Sequence, residues 1–422
     1  MVRNIAIIGG NSHPEFVERI TAALGVVPLK RTLSKFSSGE TRCEIQDSLR
    51  GKDVYIIQSF GLGTGGDRVN DYFIELCIMI SACQTSSAQR VTVVVPLFPY
   101  SRQPDLPYTK AGAPRSAKPA VSEGSSSDSG KPEYTFESVP VTPGPSIPPT
   151  AGFSDGVDII DMYHKSASPL KTSQEGNPPR KYTTHDYENV ASIGSLGSAS
   201  GYKLWMAQAG SLVADLLTCS GADRVLTCDL HESTYQGFFN IPVDNLYCRP
   251  LLINYIKHHI ENYKDAVIVS PDAGGAKRAT SIADALDLPF ALIHKERGTV
   301  KTADRHQATM LLVGDVSDRV CILVDDLVDT ANTITRAAKL LKRHGAMAVI
   351  ALLTHGIFSG DAIARINASA LDRVVVTNTV PQDAARRAAC PKMEVLDVSG
   401  MFAEAIRRVH HGESISVLFQ CC

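Results

Sequence analysis

Three carboxylates stand within five residues in the stretch VDDLVDTANTI (residues 324–334): Asp325, Asp326 and Asp329. They follow an apolar run at 320–324 and lead directly into Thr330, Asn332, Thr333 and a helical pattern. A solvated turn ending in a helix cap would account for Asp and Thr at such a place. The same residues also suit a polyol phosphate. Adjacent carboxylates accept hydrogen bonds from vicinal hydroxyls, and a turn that opens a helix offers N–H groups and a positive dipole end to a phosphate. A strand followed by DDxxDTxxT and a helix is far more specific than a lone acidic pair.

Three further clusters could act with it. In SPDAGGAKRAT (270–280) Asp272 ends a strand, Gly274 and Gly275 let the backbone come close, and Lys277 and Arg278 add charge, as a second anion such as a diphosphate requires. A Gly-rich turn closing onto a helix is the plainer reading. In CDLHESTYQGFFNIPVDN (228–245) Asp229 and His231 are two apart and would project to one side of a strand end. With Asp244 downstream they could hold Mg²⁺ on a nucleotide, although a lone histidine at a strand end is more often a structural residue than a ligand. In HKERGTVKTADRHQ (294–307) Lys295 and Arg297 sit on a long polar segment, where they would either neutralise a transferring phosphoryl group or be solvated surface.

The elements that must position these residues are legible from periodicity. Short β-branched runs at 4–9, 53–59, 90–98, 223–230, 265–272, 290–295, 319–326, 346–355 and 373–378 alternate with helical patterns such as HPEFVERITAALG and TITRAAKLLKRHGA, stopped by Gly25 and Gly345. The runs are apolar almost throughout, as strands of a parallel sheet covered on both faces should be. The expected fold is doubly wound α/β. One stretch, 105–200, holds 12 of the 23 prolines and no cysteine, with tracts such as SEGSSSDSGKPE, and reads as a disordered insertion.

Net charge is −2 and the pI about 6.6, so no global field favours nucleic acid or an anionic membrane. No apolar run approaches the roughly 18–20 residues of a membrane span. Ten scattered cysteines without a C-x-x-C pair, and a Gly- and His-bearing N-terminus unlike a signal peptide, point to a cytoplasmic protein.

The motifs KFSSGE, FPYSRQ, SGADRVLTCDLH, QGFFNIPVDNLY, SPDAGGAKR, HKER, VDDLVDT, LTHGIFSG and VVVTNT, in this order, resemble the ribose-phosphate diphosphokinase (phosphoribosyl pyrophosphate synthetase) family. The resemblance covers residues 2–102 and 201–418, and the insertion resembles that of a fungal paralogue. It implies two phosphoribosyltransferase-type domains, one from 1–104 plus 201–245 and one from 246–409, with a tail at 410–422. The implied reaction is diphosphate transfer from MgATP to ribose 5-phosphate.

By resemblance, Asp325, Asp326 and Asp329 with Thr330, Asn332 and Thr333 would take ribose 5-phosphate, and Asp272, Gly274 and Gly275 would line the diphosphate side. Phe36, Ser38 and Glu40, donated across a dimer interface, would join Arg102, Gln103 and His231 around ATP. Asp229, His231, Asn240 and Asp244 stand where Mg²⁺ is expected, and Lys295, Arg297 and His231 where catalysis is. Ser48, Arg50, Ser414, Ser416 and Phe419 match a regulatory phosphate/ADP site. The implied partners are further copies or synthetase paralogues in a homo- or hetero-oligomer.

The chain departs from the family pattern at Ser38, at Asn240, at Pro104, and at Asn332, where the family has glycine. An asparagine tolerant of left-handed backbone would preserve that loop. Three readings follow: a catalytic subunit, a structural or regulatory subunit beside active paralogues, or a phosphoribosyltransferase. The KFSSGE and SRQ elements speak against the last.

Overall fold

The computed structural model describes residues 4–61, 68–102, 209–296 and 309–419, without the side chains of 295, 296 and 309. The insertion at 105–200 lies outside the described residues.

Strands β1 (Ile5–Gly9), β4 (Asp53–Ile57), β5 (Arg90–Val95), β6 (Arg224–Cys228) and β7 (Val243–Leu246) form a five-stranded parallel sheet in that order. Between β1 and β4 the chain makes helix α1 (Pro14–Leu24) and a small antiparallel hairpin, β2 (Arg31–Lys35) and β3 (Thr41–Ile45). Proline opens α1, where its missing N–H costs nothing, and Gly25 closes it at φ 66°. Helices α2 (Val69–Thr85) and α3 (Ala209–Ser220) cover one face of this sheet.

A second sheet of seven strands has the order β10-β9-β8-β11-β12-β13-β14. Its members are β8 (Val267–Ser270), β9 (Phe290–Glu296), β10 (Thr309–Val313), β11 (Val320–Val328), β12 (Ala348–Gly356), β13 (Arg373–Thr377) and β14 (Met393–Leu396). All neighbours run parallel except the β9–β10 pair. The order reverses between β8 and β11, so the loops leaving these two strands diverge and open a crevice at their carboxyl ends, where doubly wound sheets bind ligands.

Four helices lie between the two sheets: α1, α4 (Arg249–His259), α5 (Ala276–Leu286) and α9 (Ser399–His411). They join Ile7, Tyr55 and Leu226 of one sheet to Ile268, Ile322 and Ile350 of the other in one apolar layer. Helices α6 (Asn332–Arg343) and α7 (Ala362–Asn367) pack on the outer face of the second sheet, and α8 (Ala384–Ala389) leads into β14. Both sheets are therefore covered on both sides, which is why their strands read as apolar runs without alternation.

The segment expected as a C-terminal tail is structured as far as Phe419. Helix α9 packs on α1 through the Phe16–Phe402 ring pair at 5.4 Å. The His410 Nδ1 lies 2.8 Å from Asp53, and Arg19 donates to Asp397 at 2.8 Å. The two halves are thus held by the last helix as well as by the chain between the sheets.

His13 joins the same interface. Its buried Nε2–H donates to the Asn378 carbonyl at 2.9 Å. Burial lowers the pKa of His13, and burial does the same at His355, so both are held neutral in the fold. The unfolded chain then binds more protons below its histidine pKa of about 6.5, and stability is lost as pH falls from that value toward the depressed folded values. Each histidine contributes a slope of up to about 1.4 kcal/mol per pH unit. Urea midpoints should therefore drop between about pH 7 and about pH 5, and His13→Gln should flatten the slope. An unchanged slope in that variant would remove His13 from the account.

Candidate active site

The crevice at the β8/β11 switch point gathers residues from three separated segments. Asp326, 2 % exposed, ends the apolar part of β11. Its Oδ1 accepts from Arg278 of α5 at 2.9 Å and its Oδ2 lies 2.7 Å from His231 Nδ1, which arrives on the turn after β6. Asp325 Oδ1 accepts the Asp326 N–H at 2.9 Å and lies 3.8 Å from Arg278.

This arrangement separates the two carboxyls. Burial and the Asp326 charge push the Asp325 pKa well above the carboxylate range. Asp326 is driven well below that range despite its burial, because His231 and Arg278 favour its anion. Reciprocally, the hydrogen bond to Asp326 raises His231. A carboxylate held between the Arg278 guanidinium and the His231 ring, beside a second carboxyl, makes a polar floor on which hydroxyl groups can be held. Arg278 belongs to that floor although its sequence context promised only general positive charge.

The turn after β11 forms the next wall. Ala331 precedes α6 at φ 61°, in the left-handed region. The glycine-substituting Asn332 is instead the first helical residue, and its Nδ2 donates to Thr330 Oγ1 at 3.2 Å. The expectation that asparagine supplies the left-handed residue is therefore corrected: alanine does, one position earlier, held by Arg365, which donates to the Thr330 carbonyl. The N–H groups of the first helical turn have no carbonyl partner within the helix, which suits an anion. Because position 332 is helical, Asn332→Gly should cost about 0.3 kcal/mol in a denaturation experiment, the difference between the helix propensities of the two residues. A gain in stability would place the left-handed residue at 332 after all.

The loop after β8 closes the opposite side. Asp272 Oδ1 accepts the Gly275 N–H at 2.9 Å, and Ser270 Oγ donates to the Asp272 carbonyl at 2.7 Å. A Cβ on Gly275 would stand 3.1 Å from Ser270 Oγ, so glycine is what lets this loop lie flat against β8. Arg102, at the end of the β5 segment, donates to Asp329 at 2.7 Å and so joins the acidic turn.

Asp229 and His231 reach the crevice, but not by strand alternation. Asp229 has φ 40°, so the strand stops at Cys228 and a turn begins. Asp229 is buried whereas the His231 side chain is 41 % exposed. Behind Asp229 the Cys228 and Cys248 thiols lie 3.3 Å apart, and burial of the pair favours the neutral thiol. These soft donors do not suit Mg²⁺, which prefers oxygen. The harder donors on this turn are the Asp229 carboxylate and the outward His231 imidazole.

Other expected residues stand apart from this centre. Asp244 lies within β7, and its carboxylate accepts from Arg224 at 2.5 Å, near the amino ends of the strands. Its place in a metal cluster is therefore not supported by the geometry, because Arg224 takes its charge. Asn240 is exposed, in the turn before β7. Phe36, Ser38 and Glu40 form the exposed tip of the β2–β3 hairpin, where Ser38 Oγ donates to Glu40 at 2.8 Å. Ser48 and Arg50 are exposed beyond β3, while Ser414 and Ser416 share a hydroxyl contact of 2.8 Å and Phe419 packs edge-on to Tyr247 at 5.3 Å. Lys295 is placed by its backbone, opposite Met310 in the β9–β10 pair. The Lys295 side chain, Arg297 and Gln103 lie outside the described residues.

This crevice can be compared with known proteins. The N-terminal domain of ribose phosphate pyrophosphokinase matches residues 5–120, and the phosphoribosyl synthetase-associated domain matches residues 298–420. Ribose-phosphate pyrophosphokinase 5 of Schizosaccharomyces pombe is 44% identical over 420 residues, spanning 99% of this chain and 98% of that protein. The chain belongs to the ribose-phosphate pyrophosphokinase family. Ribose-phosphate pyrophosphokinase 2 of the same yeast is 40% identical over 417 residues, with 99% of this chain and 97% of that protein covered. The crystal structure of phosphoribosylpyrophosphate synthetase from Mycobacterium smegmatis superposes with a TM-score of 0.68 at 28% identity, covering 97% of this chain and 100% of that one. Membership of the pyrophosphokinase family makes the chain an enzyme of the transferase class, with the α/β architecture that the strand pattern implied. Among the described residues no helix is long and apolar enough to cross a membrane.

Proposed function

We propose that the chain transfers the β,γ-diphosphate of MgATP to the anomeric hydroxyl of ribose 5-phosphate and releases AMP. The observation that carries this reading is the Asp325–Asp326 pair at the switch point, half-buried and buried respectively, with a helix-opening turn directly after it. A diol acceptor next to a phosphate cradle is what a pentose phosphate requires.

In this reading Asp325 and Asp326 accept the ribose 2- and 3-hydroxyls. Arg278 and His231 keep Asp326 anionic, so that its hydrogen bonds are charge-assisted. Thr330, Asn332 and Thr333 hold the 5-phosphate at the start of α6, with Asp329 and Arg102 bracing the turn. Asp272, Gly274 and Gly275 border the path of the diphosphate. The anomeric oxygen bonds to the β-phosphorus as the bond from that phosphorus to the AMP oxygen breaks, AMP leaving with the electron pair and the hydroxyl proton passing to solvent. No side chain need form a covalent bond, so positioning and charge neutralisation supply most of the rate. Lys295 and Arg297 are assigned to the charge that develops on the transferring group.

Asp229 and His231 would hold Mg²⁺ together with the ATP phosphates. When bound, that ion supplies neutralisation of phosphate charge. The exposed hairpin tip with Phe36, Ser38 and Glu40 suits donation to the nucleotide pocket of a neighbouring subunit, either a second copy or a synthetase paralogue. Ser48, Arg50, Ser414, Ser416 and Phe419 are assigned to anion regulation, and the two folded halves to residues 1–104 plus 201–245 and 246–409.

The test is AMP and phosphoribosyl pyrophosphate formation from MgATP and ribose 5-phosphate. It uses the full chain, alone and mixed with paralogous subunits, next to Lys295→Ala. Turnover that disappears in the variant supports catalysis by this chain. Equal turnover with either version would make it a structural or regulatory subunit.

A further inference from the structure

We infer that Thr354, on β12, is the positioning residue that aims Asp229 at the nucleotide-bound cation. This rests on Asp229 having the role proposed above, and it adds a residue from the other sheet to which no part in the reaction has been given.

Asp229 is held by nearly every polar group it has. Its N–H donates to the Leu246 carbonyl at 2.8 Å, and its own carbonyl lies 3.3 Å from His355 Nε2. Its Oδ2 accepts twice, from the Cys248 N–H at 3.1 Å and from Thr354 Oγ1 at 2.6 Å. The Cys228 and Cys248 thiols also lie within 4.8 Å of the carboxylate. A carboxylate is planar, so fixing one oxygen from two directions fixes where the other points. The φ of 40° at Asp229 is a strained conformation that persists only when its surroundings over-determine it.

Thr354 is itself immobilised. It is fully buried, and its carbonyl accepts from Thr377 Oγ1 at 2.7 Å. The adjacent His355 is gripped by Thr379 Oγ1 at 2.9 Å and by the Cys228 carbonyl at 3.1 Å. His355 Nε2 faces two carbonyl oxygens, which only accept, so it carries a proton, and Nδ1 faces the Thr379 hydroxyl. A rigid hydrogen-bonded path thus runs from β13 through β12 to the carboxylate at the end of β6. Of the two donors to Oδ2, the Cys248 N–H belongs to the backbone. Thr354 donates from a side chain at 2.6 Å, and it ties the carboxylate at the end of one sheet to the sheet that carries the acidic turn. Outer partners of metal ligands commonly govern affinity by orienting the ligand.

The test measures cation binding rather than turnover. Full-length protein is titrated with Mn²⁺ in the presence of a non-hydrolysable ATP analogue, free Mn²⁺ being read by electron paramagnetic resonance. Thr354→Val should weaken Mn²⁺ binding by about 10- to 100-fold, and Thr354→Ser, which keeps the hydroxyl, should restore it. Binding of the analogue without metal should stay unchanged. Circular dichroism checks the fold, and Thr354→Ala replaces Thr354→Val if the latter does not fold. Wild-type Mn²⁺ affinity in a folded hydroxyl-less variant, with affinity lost in Asp229→Asn, would overturn the role of Thr354 and leave that of Asp229 standing. Wild-type affinity in Asp229→Asn would overturn the Asp229 assignment and the inference with it.

Discussion

Asp326→Ala is expected to weaken ribose 5-phosphate binding by roughly 10²–10⁴-fold and to destabilise the fold by about 3–5 kcal/mol. The first figure is the loss of up to two charge-assisted hydrogen bonds of about 1.5–3 kcal/mol each, at about 1.4 kcal/mol per tenfold. The second follows because Asp326 is the buried anion between His231 and Arg278, whose side chain is 26% exposed. Removing it leaves the Arg278 guanidinium without its 2.9 Å carboxylate partner. Calorimetric titration with ribose 5-phosphate and a urea melt read the two effects separately. Asp244→Asn is the control. Asp244 pairs with Arg224 at the other end of the strands, so this change should leave substrate binding alone and cost only about 0–1 kcal/mol. Wild-type binding by Asp326→Ala would sink the diol assignment, and strong loss in Asp244→Asn would restore it to the cation site.

Phe402→Ala should cost about 3–5 kcal/mol, as for other buried aromatic side chains cut back to alanine. Phe402 is fully buried on α9, edge-on to Phe16 of α1, in the layer that both sheets share. The cavity opens where the end of the chain packs on its beginning, so backbone relaxation cannot fill it without moving a helix. The loss should appear as a lower denaturant midpoint for both halves together, since the layer is common to them. A loss under about 1 kcal/mol would mean that α9 docks without contributing to the core. Selective melting of one half would mean that the shared layer does not couple the sheets.

Much of this protein is determined locally. Strands covered on both faces must be apolar at every position, and β1, β4, β5, β6, β8, β11, β12 and β13 carry that mark in residues that are neighbours in sequence. Helix limits follow the same logic at Pro14, Gly25 and Gly345, where single residues dictate backbone conformation. The acidic turn and the Gly-rich loop are legible too, because each is one short segment whose chemistry is complete in itself. The hairpin strands RTLSK and TRCEI escape such reading, being half-exposed and mixed in polarity, and the four-residue VDNL and MEVL are too short for periodicity.

What only the tertiary structure decided are relations between distant residues. His231 meets Asp326 across 95 positions, Arg278 meets it across 48, and Thr354 reaches Asp229 across 125. Asp244 looked like a ligand by its place downstream of Asp229, yet an arginine on the neighbouring strand occupies it. The left-handed residue of the phosphate turn is Ala331 rather than Asn332, because the cradle is fixed by the start of α6 and by Arg365 and not by intrinsic preference alone. The end of the chain, polar and histidine-rich, is part of the core because one face of α9 meets α1. Side-chain type and spacing determine which segments could do chemistry. Which of them share a charge, and which are neutralised elsewhere, depends on packing that brings together residues with no local relation.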